Sequence, residues 1–225
     1  TGEAEATSAA GNLPYMAVAR NAEPEALVRA AVDALGGMGR FVPQGGWVIV
    51  KPNICTSYYP YEYAATTNPW VVGTLVKMCF EAGAKSVVVT DVPVNEPRRS
   101  FARSGIEAAA RRVGARVLLP EERKFKEVDL GGEVLSVWPV LEPFLEADKL
   151  INIPVAKHHS LTGSTLGMKN WYGILGGVRH RLHQRIHESL ADLAAFARPT
   201  LTIIDAYRVL FRNGPSGGNL ADVAL

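Results

Sequence analysis

Short apolar strands alternating with helical stretches constrain this chain more than any other feature. Residues 47–50, 86–90, 115–119, 149–155 and 200–205 read as strands. Residues 24–35, 68–82, 98–113 and 180–196 carry helical spacing between or beside them. Pro24 suits the first helical position, Asn68-Pro69 reads as a cap followed by that position, and Gly36, Gly83 and Gly114 stand where helices should stop. This alternation predicts βαβ units and an α/β fold, with a mostly parallel sheet flanked by helices in a Rossmann-like three-layer arrangement. Residues 128–137 read as a hairpin around Gly131-Gly132.

The 225 residues, 48% of them hydrophobic, are enough for a substantial core and exclude a disordered or fibrous chain. Residues 1–12 lack periodicity and read as a flexible, processed leader; residues 13–225 read as a single domain without linker or repeat. The chain stops soon after the Gly-rich loop at 213–219, so a C-terminal continuation is expected. Cys55 and Cys79 alone cannot form a disulfide framework or hold an iron–sulfur cluster, and they read as free thiols. No apolar run approaches the roughly 20 residues of a membrane span.

The net charge is +2, and no stripe of Lys and Arg with interleaved aromatics points to nucleic acid. The charge is nonetheless uneven. Residues 151–225 hold eight Lys or Arg against four Asp or Glu, together with all five histidines. A local positive field of this kind favours a small anionic ligand.

In open parallel sheets ligands bind beyond the carboxyl ends of the strands. The residues there are Lys51 and Asn53, Asp91, the run Lys157-His158-His159, and Asp205. Each allows a bland reading too: a lysine that reaches water, or a carboxylate that caps the next helix. Thr66 and Thr67 precede a helix start, whose free N–H groups attract anions. Thr162, Ser164, Lys169 and Asn170 lie in a Gly-punctuated segment that suggests an anion cradle. Three residues rather than four separate Gly163 from Gly167, so it is not a Walker A loop.

On one continuous helix His180, His183 and His187 would fall within about 60° of each other, a stripe suited to a divalent metal. His158 and His159 would approach it from a strand end. No His-Glu-x-x-His spacing, dinucleotide glycine fingerprint or Ser-His-Asp order accompanies them.

Val50-Lys51-Pro52-Asn53, Ala65-Thr66-Thr67-Asn68-Pro69, Pro154-Val155-Ala156-Lys157-His158-His159, the segment 162–177 and Arg179-His180-Arg181-Leu182-His183 together resemble the DUF362 family, bacterial and archaeal domains of unknown function. The resemblance covers about residues 16–225. Some members carry ferredoxin-like cluster motifs, which implies redox association, but this chain lacks the cysteines for one. Related members often carry a twin-arginine export signal, which implies an exported protein; a cytoplasmic one is the alternative. The family domain normally runs on past the 213–219 loop.

Three functions fit these features. The first is an enzyme with His158, His159, Lys169, Asp91 and Asp205 as catalytic candidates. Lys51, Asn53, Thr66, Thr67, Lys157, Thr162, Ser164, Asn170 and Arg179 would bind its small anionic substrate, and His180, His183 and His187 would hold any metal. The second is a non-catalytic metal- or cofactor-binding protein serving a redox partner. The third is an interaction subunit of a larger complex.

Overall fold

The computed structural model of the chain describes residues 3–7 and 13–225. In chain order its elements begin with β1 (Glu3–Thr7), β2 (Met16–Arg20), α1 (Pro24–Ala34), β3 (Trp47–Pro52), α2 (Pro69–Glu81) and β4 (Ser86–Val89). There follow α3 (Pro97–Ser104), α4 (Ile106–Arg112), β5 (Arg116–Val117), β6 (Phe125–Asp129), β7 (Val137–Leu141), α5 (Pro143–Glu146) and β8 (Lys149–Ile153). The chain continues through β9 (Val155–His159), β10 (Gly163–Thr165), α6 (Gly167–Asn170), α7 (Ile186–Phe196), β11 (Leu201–Thr202), β12 (Asp205–Leu210) and β13 (Val223–Ala224).

The central sheet has the order β11-β8-β3-β4-β5, with every neighbouring pair parallel. It confirms the α/β expectation of a parallel sheet flanked by helices. A second sheet, β10-β9-β12-β13, joins its carboxyl edge. The chain passes from one sheet to the other twice: β8 continues beyond Pro154 into β9, and β11 continues beyond Ile203 and Ile204 into β12. β8 pairs parallel with β11, and β9 pairs parallel with β12, so the two segments remain neighbours through the junction.

The alternation of strand side chains divides the core. Val48, Val50, Val87, Val89, Ile151 and Ile153 pack with α1, α2 and α4. A second cluster joins Trp171, Tyr172, Ile174 and Leu175 to α7 and the β6–β7 hairpin. Lys51 pairs with Asn152 across β3 and β8, at the edge where the second sheet begins.

Glu3–Thr7, within the segment read as a leader, forms a strand antiparallel to β2, and residues 1–2 and 8–12 lie outside those described. Several expectations about individual elements are corrected. Lys157 to His159 belong to a strand rather than following one. The helix read over 98–113 is two helices. Gly105 adopts φ 74°, a left-handed conformation that ends α3, and the Ser104 hydroxyl accepts from Ile106 N at 3.3 Å to restart the chain as α4.

The helix read over 180–196 starts only at Ile186, because Arg179–Arg185 is a 3₁₀ turn. Arg185, at φ −130° and ψ 58°, separates the two. No helix among the described residues is long and apolar enough to cross a membrane.

Gly105→Ala should destabilise the fold by about 1 kcal/mol, because a Cβ is strained at positive φ. Urea unfolding, compared with Gly39→Ala at a glycine outside that region, measures the effect.

Candidate functional site

The carboxyl ends of β3, β4 and β8 meet in a buried polar network. Lys51 is fully buried, and its Nζ donates to Asp91 Oδ1 at 2.6 Å, Asn170 Oδ1 at 2.9 Å and the Pro52 carbonyl at 2.9 Å. Three acceptors satisfy all three ammonium protons. Burial pushes the Lys51 pKa down, and the Asp91 charge opposes that shift. The other Asp91 oxygen accepts from Ile54 N at 2.6 Å. Asn170 donates to Asn152 Oδ1 at 2.8 Å, while Asn53 donates to Asn170 Oδ1 at 3.0 Å. Lys157 Nζ donates to Asn53 Oδ1 at 3.0 Å and to the Ala65 carbonyl at 2.6 Å.

Gly173 closes this network from above. A Cβ there would collide with Asp91 Oδ1 and stand 2.6 Å from Lys51 Nζ. Its carbonyl accepts from Val92 N at 2.9 Å, which ties the segment after β4 to the turn that follows α6. Only glycine permits this approach of backbone to ion pair.

Beyond the network lies a cavity of about 350 Å³, lined by Asn53, Cys55, Asp91, Lys157, His159, Thr165, Lys169, Tyr172, Arg179, His180 and His183 among others. Asp91 is the one carboxylate among its lining residues, and Lys51 already neutralises it. Lys157, Lys169 and Arg179 therefore leave the cavity positive. Arg179 is anchored by its donors to the carbonyls of Val92 (2.7 Å), Pro93 (2.8 Å) and Tyr172 (3.0 Å). Lys169 Nζ stands 4.0 Å from the centre of the Tyr172 ring. Burial, together with the charges of Lys157, Arg179 and Lys51, brings its pKa down to about 8.

The rings of His159 and His183 lie 6.1 Å apart and nearly parallel, at 12°. Burial and then the Lys169 charge lower both pKa values, that of His159 to about 4, so both imidazoles are neutral at neutral pH. His159 Nδ1 accepts from Leu161 N at 3.2 Å, which assigns its proton to Nε2. The Tyr172 ring meets His183 edge-on, and its hydroxyl is held 2.5 Å from Ser189 Oγ.

The structure thus brings together Lys51, Asn53, Asp91, Lys157, His159, Lys169, Asn170, Arg179, His180 and His183 at the cavity or in the network beneath it. The other sequence candidates stand elsewhere. Successive strand residues face opposite sides, so His158 cannot share the direction of His159; its Nδ1 accepts from Gly214 N at 3.1 Å. Ser164, paired with His158, is likewise absent from the lining, while Thr165 lines the cavity. Thr162 donates to the Ser164 carbonyl at 2.8 Å. Thr67 is structural, donating to the Ile153 carbonyl and accepting from Asn53 N, both at 2.8 Å.

Thr66 and Asp205 border a separate small recess. There Asp205 accepts from Asn68 N at 2.7 Å, next to the start of α2. Burial raises the Asp205 pKa, against those backbone donors.

The proposed metal set of His180, His183 and His187 does not converge. A 3₁₀ turn stacks residues three apart, so His180 and His183 reach one cavity, whereas exposed His187 lies beyond the break. Among the described residues no three His, Cys, Asp or Glu side chains gather as metal ligands. Tyr172, Thr165 and Gly173 escaped sequence reasoning, and Cys55, noted there only as a free thiol, also lines the cavity. The Tyr172–Lys169 spacing of three on a turn was the one available signal.

The fold and site define an α/β protein with a cation-lined cavity at the carboxyl edge of its parallel sheet. The chain belongs to the DUF362 family, described as a domain of unknown function, which matches residues 48–225. A thylakoid-associated protein of Synechocystis is 26% identical over 208 residues, covering 89% of this chain and 64% of that protein. The lactate racemase apoprotein from Thermoanaerobacterium thermosaccharolyticum matches structurally, with TM-score 0.52 and 11% identity over 84% of this chain and 53% of that one. A Thermotoga maritima protein gives TM-score 0.48 and 13% identity over 84% and 52%. The chain thus spans under two thirds of each relative's length.

Removing one partner of the buried pair should be costly. Lys51→Met leaves Asp91 uncompensated and should lower unfolding stability by about 3–5 kcal/mol, with partial recovery in Lys51→Met/Asp91→Asn. Urea denaturation measures both.

Acid should destabilise the fold through His159. Its pKa is about 4 in the folded chain against the ordinary 6.5, so the unfolded chain takes up the proton first. Stability therefore falls as pH drops through that window. His159→Gln should remove on the order of 2 kcal/mol of this acid-induced loss, read from unfolding free energies across pH.

Proposed function

We propose that this cavity binds a small anionic ligand, a carboxylate or phosphate, and that His159 and His183 serve it as neutral acid/base groups. The observation that carries this reading is the imbalance of charge: Lys157, Lys169 and Arg179 face a space whose one carboxylate is already paired with Lys51. Removal from water strengthens each cation's attraction for an anion. The size of the cavity suits a small organic ligand. Two neutral imidazoles, His159 with an Nε2 proton to donate, beside a lysine that releases a proton near pH 8, favour an enzyme over an inert binder.

Calorimetry with inorganic phosphate and with benzoate tests the reading. Binding is expected at neutral pH and should weaken as pH rises past about 8, where Lys169 loses its charge. Lys169→Met should bind about tenfold more weakly, equivalent to loss of one charge-assisted hydrogen bond. Absence of binding by both anions, or binding indifferent to Lys169 and to pH, would sink it.

A further inference from the structure

The three lysines of this region differ in one respect. Lys51 Nζ has three oxygen acceptors and Lys157 Nζ has two. Lys169 Nζ, by contrast, rests on the face of the Tyr172 ring, and no oxygen among the described residues accepts from it. It interacts electrostatically with His159, His183, Cys55, Lys157 and Arg179, so it occupies the middle of the cavity's polar groups.

We propose that Lys169 is a nucleophile that forms an imine with a 2-oxo acid held in the cavity; this inference rests on the anion-site reading above.

Four observations support it. An amine adds to a carbonyl only through its free lone pair, and an aromatic face does not tie that lone pair down as a carboxylate salt bridge ties a proton. Burial among like charges keeps roughly a tenth of Lys169 in the neutral form at pH 7. Arg179 and Lys157 are held by backbone carbonyls in positions that leave their charge facing the cavity, where they match a carboxylate beside the reacting carbonyl. The apolar part of the wall, with Ile54, Val92, Pro93, Val94 and Leu166, accommodates the substrate's side chain.

The step balances without any added oxidant. The Lys169 nitrogen pair forms the C–N bond, and the carbonyl π pair moves to oxygen. A proton passes from nitrogen to that oxygen through neutral His183, which takes it up and hands it on. The remaining N–H proton then passes to the carbinolamine oxygen by the same route, the oxygen leaves as water, and the nitrogen pair forms the C=N bond. Amine and ketone become imine and water.

The test combines binding and trapping on the intact chain. Phenylpyruvate is added with sodium cyanoborohydride, and the product is analysed by intact mass and peptide mapping. Calorimetry without reductant measures binding separately. The expected result is one adduct, at Lys169, suppressed by inorganic phosphate, lost in Lys169→Arg, and formed at least about tenfold faster than with phenylacetaldehyde, which lacks the carboxylate.

Circular dichroism checks that the arginine variant folds, and the wild-type peptide map decides the point if it does not. Phenylpyruvate binding without an adduct at Lys169 overturns the imine and leaves the anion site standing. Adducts spread over surface lysines and insensitive to phosphate overturn it equally. No binding of phenylpyruvate, phosphate or benzoate overturns both readings.

Discussion

The contact between Lys51 and Asp91 is the constraint around which the rest is arranged. Two opposite charges removed from water must satisfy one another and every remaining donor and acceptor, or the desolvation cost is not met. Lys51 does so with Asp91, Asn170 and its neighbouring carbonyl, and Asp91 adds the amide of Ile54. These bonds fix the end of β3 against the end of β4 and draw α6 down onto both. Gly173 is then the only residue type that can pass overhead. The cavity is what remains once this polar floor has been built, and its excess positive charge follows from the fact that the floor consumes its only carboxylate.

The second sheet turns that floor into a pocket. Because β8 and β11 leave the central sheet side by side and re-pair as β9 and β12, Lys157 and His159 are carried over the carboxyl edge on one face of a single strand. Their burial lowers the protonation tendency of His159, and the nearby lysines add to the effect. The same arrangement sends Asp205 to the opposite side, where it accepts from the backbone beside α2 rather than facing a ligand.

Much of this was legible in the residues. The strand–helix alternation was enough for the parallel sheet, and the rule that ligands sit beyond strand ends singled out Lys51, Asn53, Asp91 and Lys157. Asn170 and Lys169 followed from an unusual glycine-punctuated segment. What escaped depended on local geometry. His180, His183 and His187 were aligned by assuming 3.6 residues per turn, and a 3₁₀ turn with a break at Arg185 separates the third from the first two. His158 and His159 looked like a pair until strand alternation set them back to back. Gly173 carries no signature in isolation, since its role arises from Asp91 and Lys51 across the fold, and Tyr172 offered only its spacing of three from Lys169.

Arg179 carries a consequence for how such chains diverge. Its guanidinium grips the main chain just after β4 at Val92 and Pro93, while its own turn presents His180 and His183. The placement of those imidazoles is therefore decided some 87 positions earlier in the chain, by main-chain carbonyls and not by side chains. Among descendants, a substitution at Val92 or Pro93 would reshape the cavity wall yet leave this grip intact, whereas an inserted or deleted residue there would displace both rings at once. Length, more than identity, is what that loop must preserve.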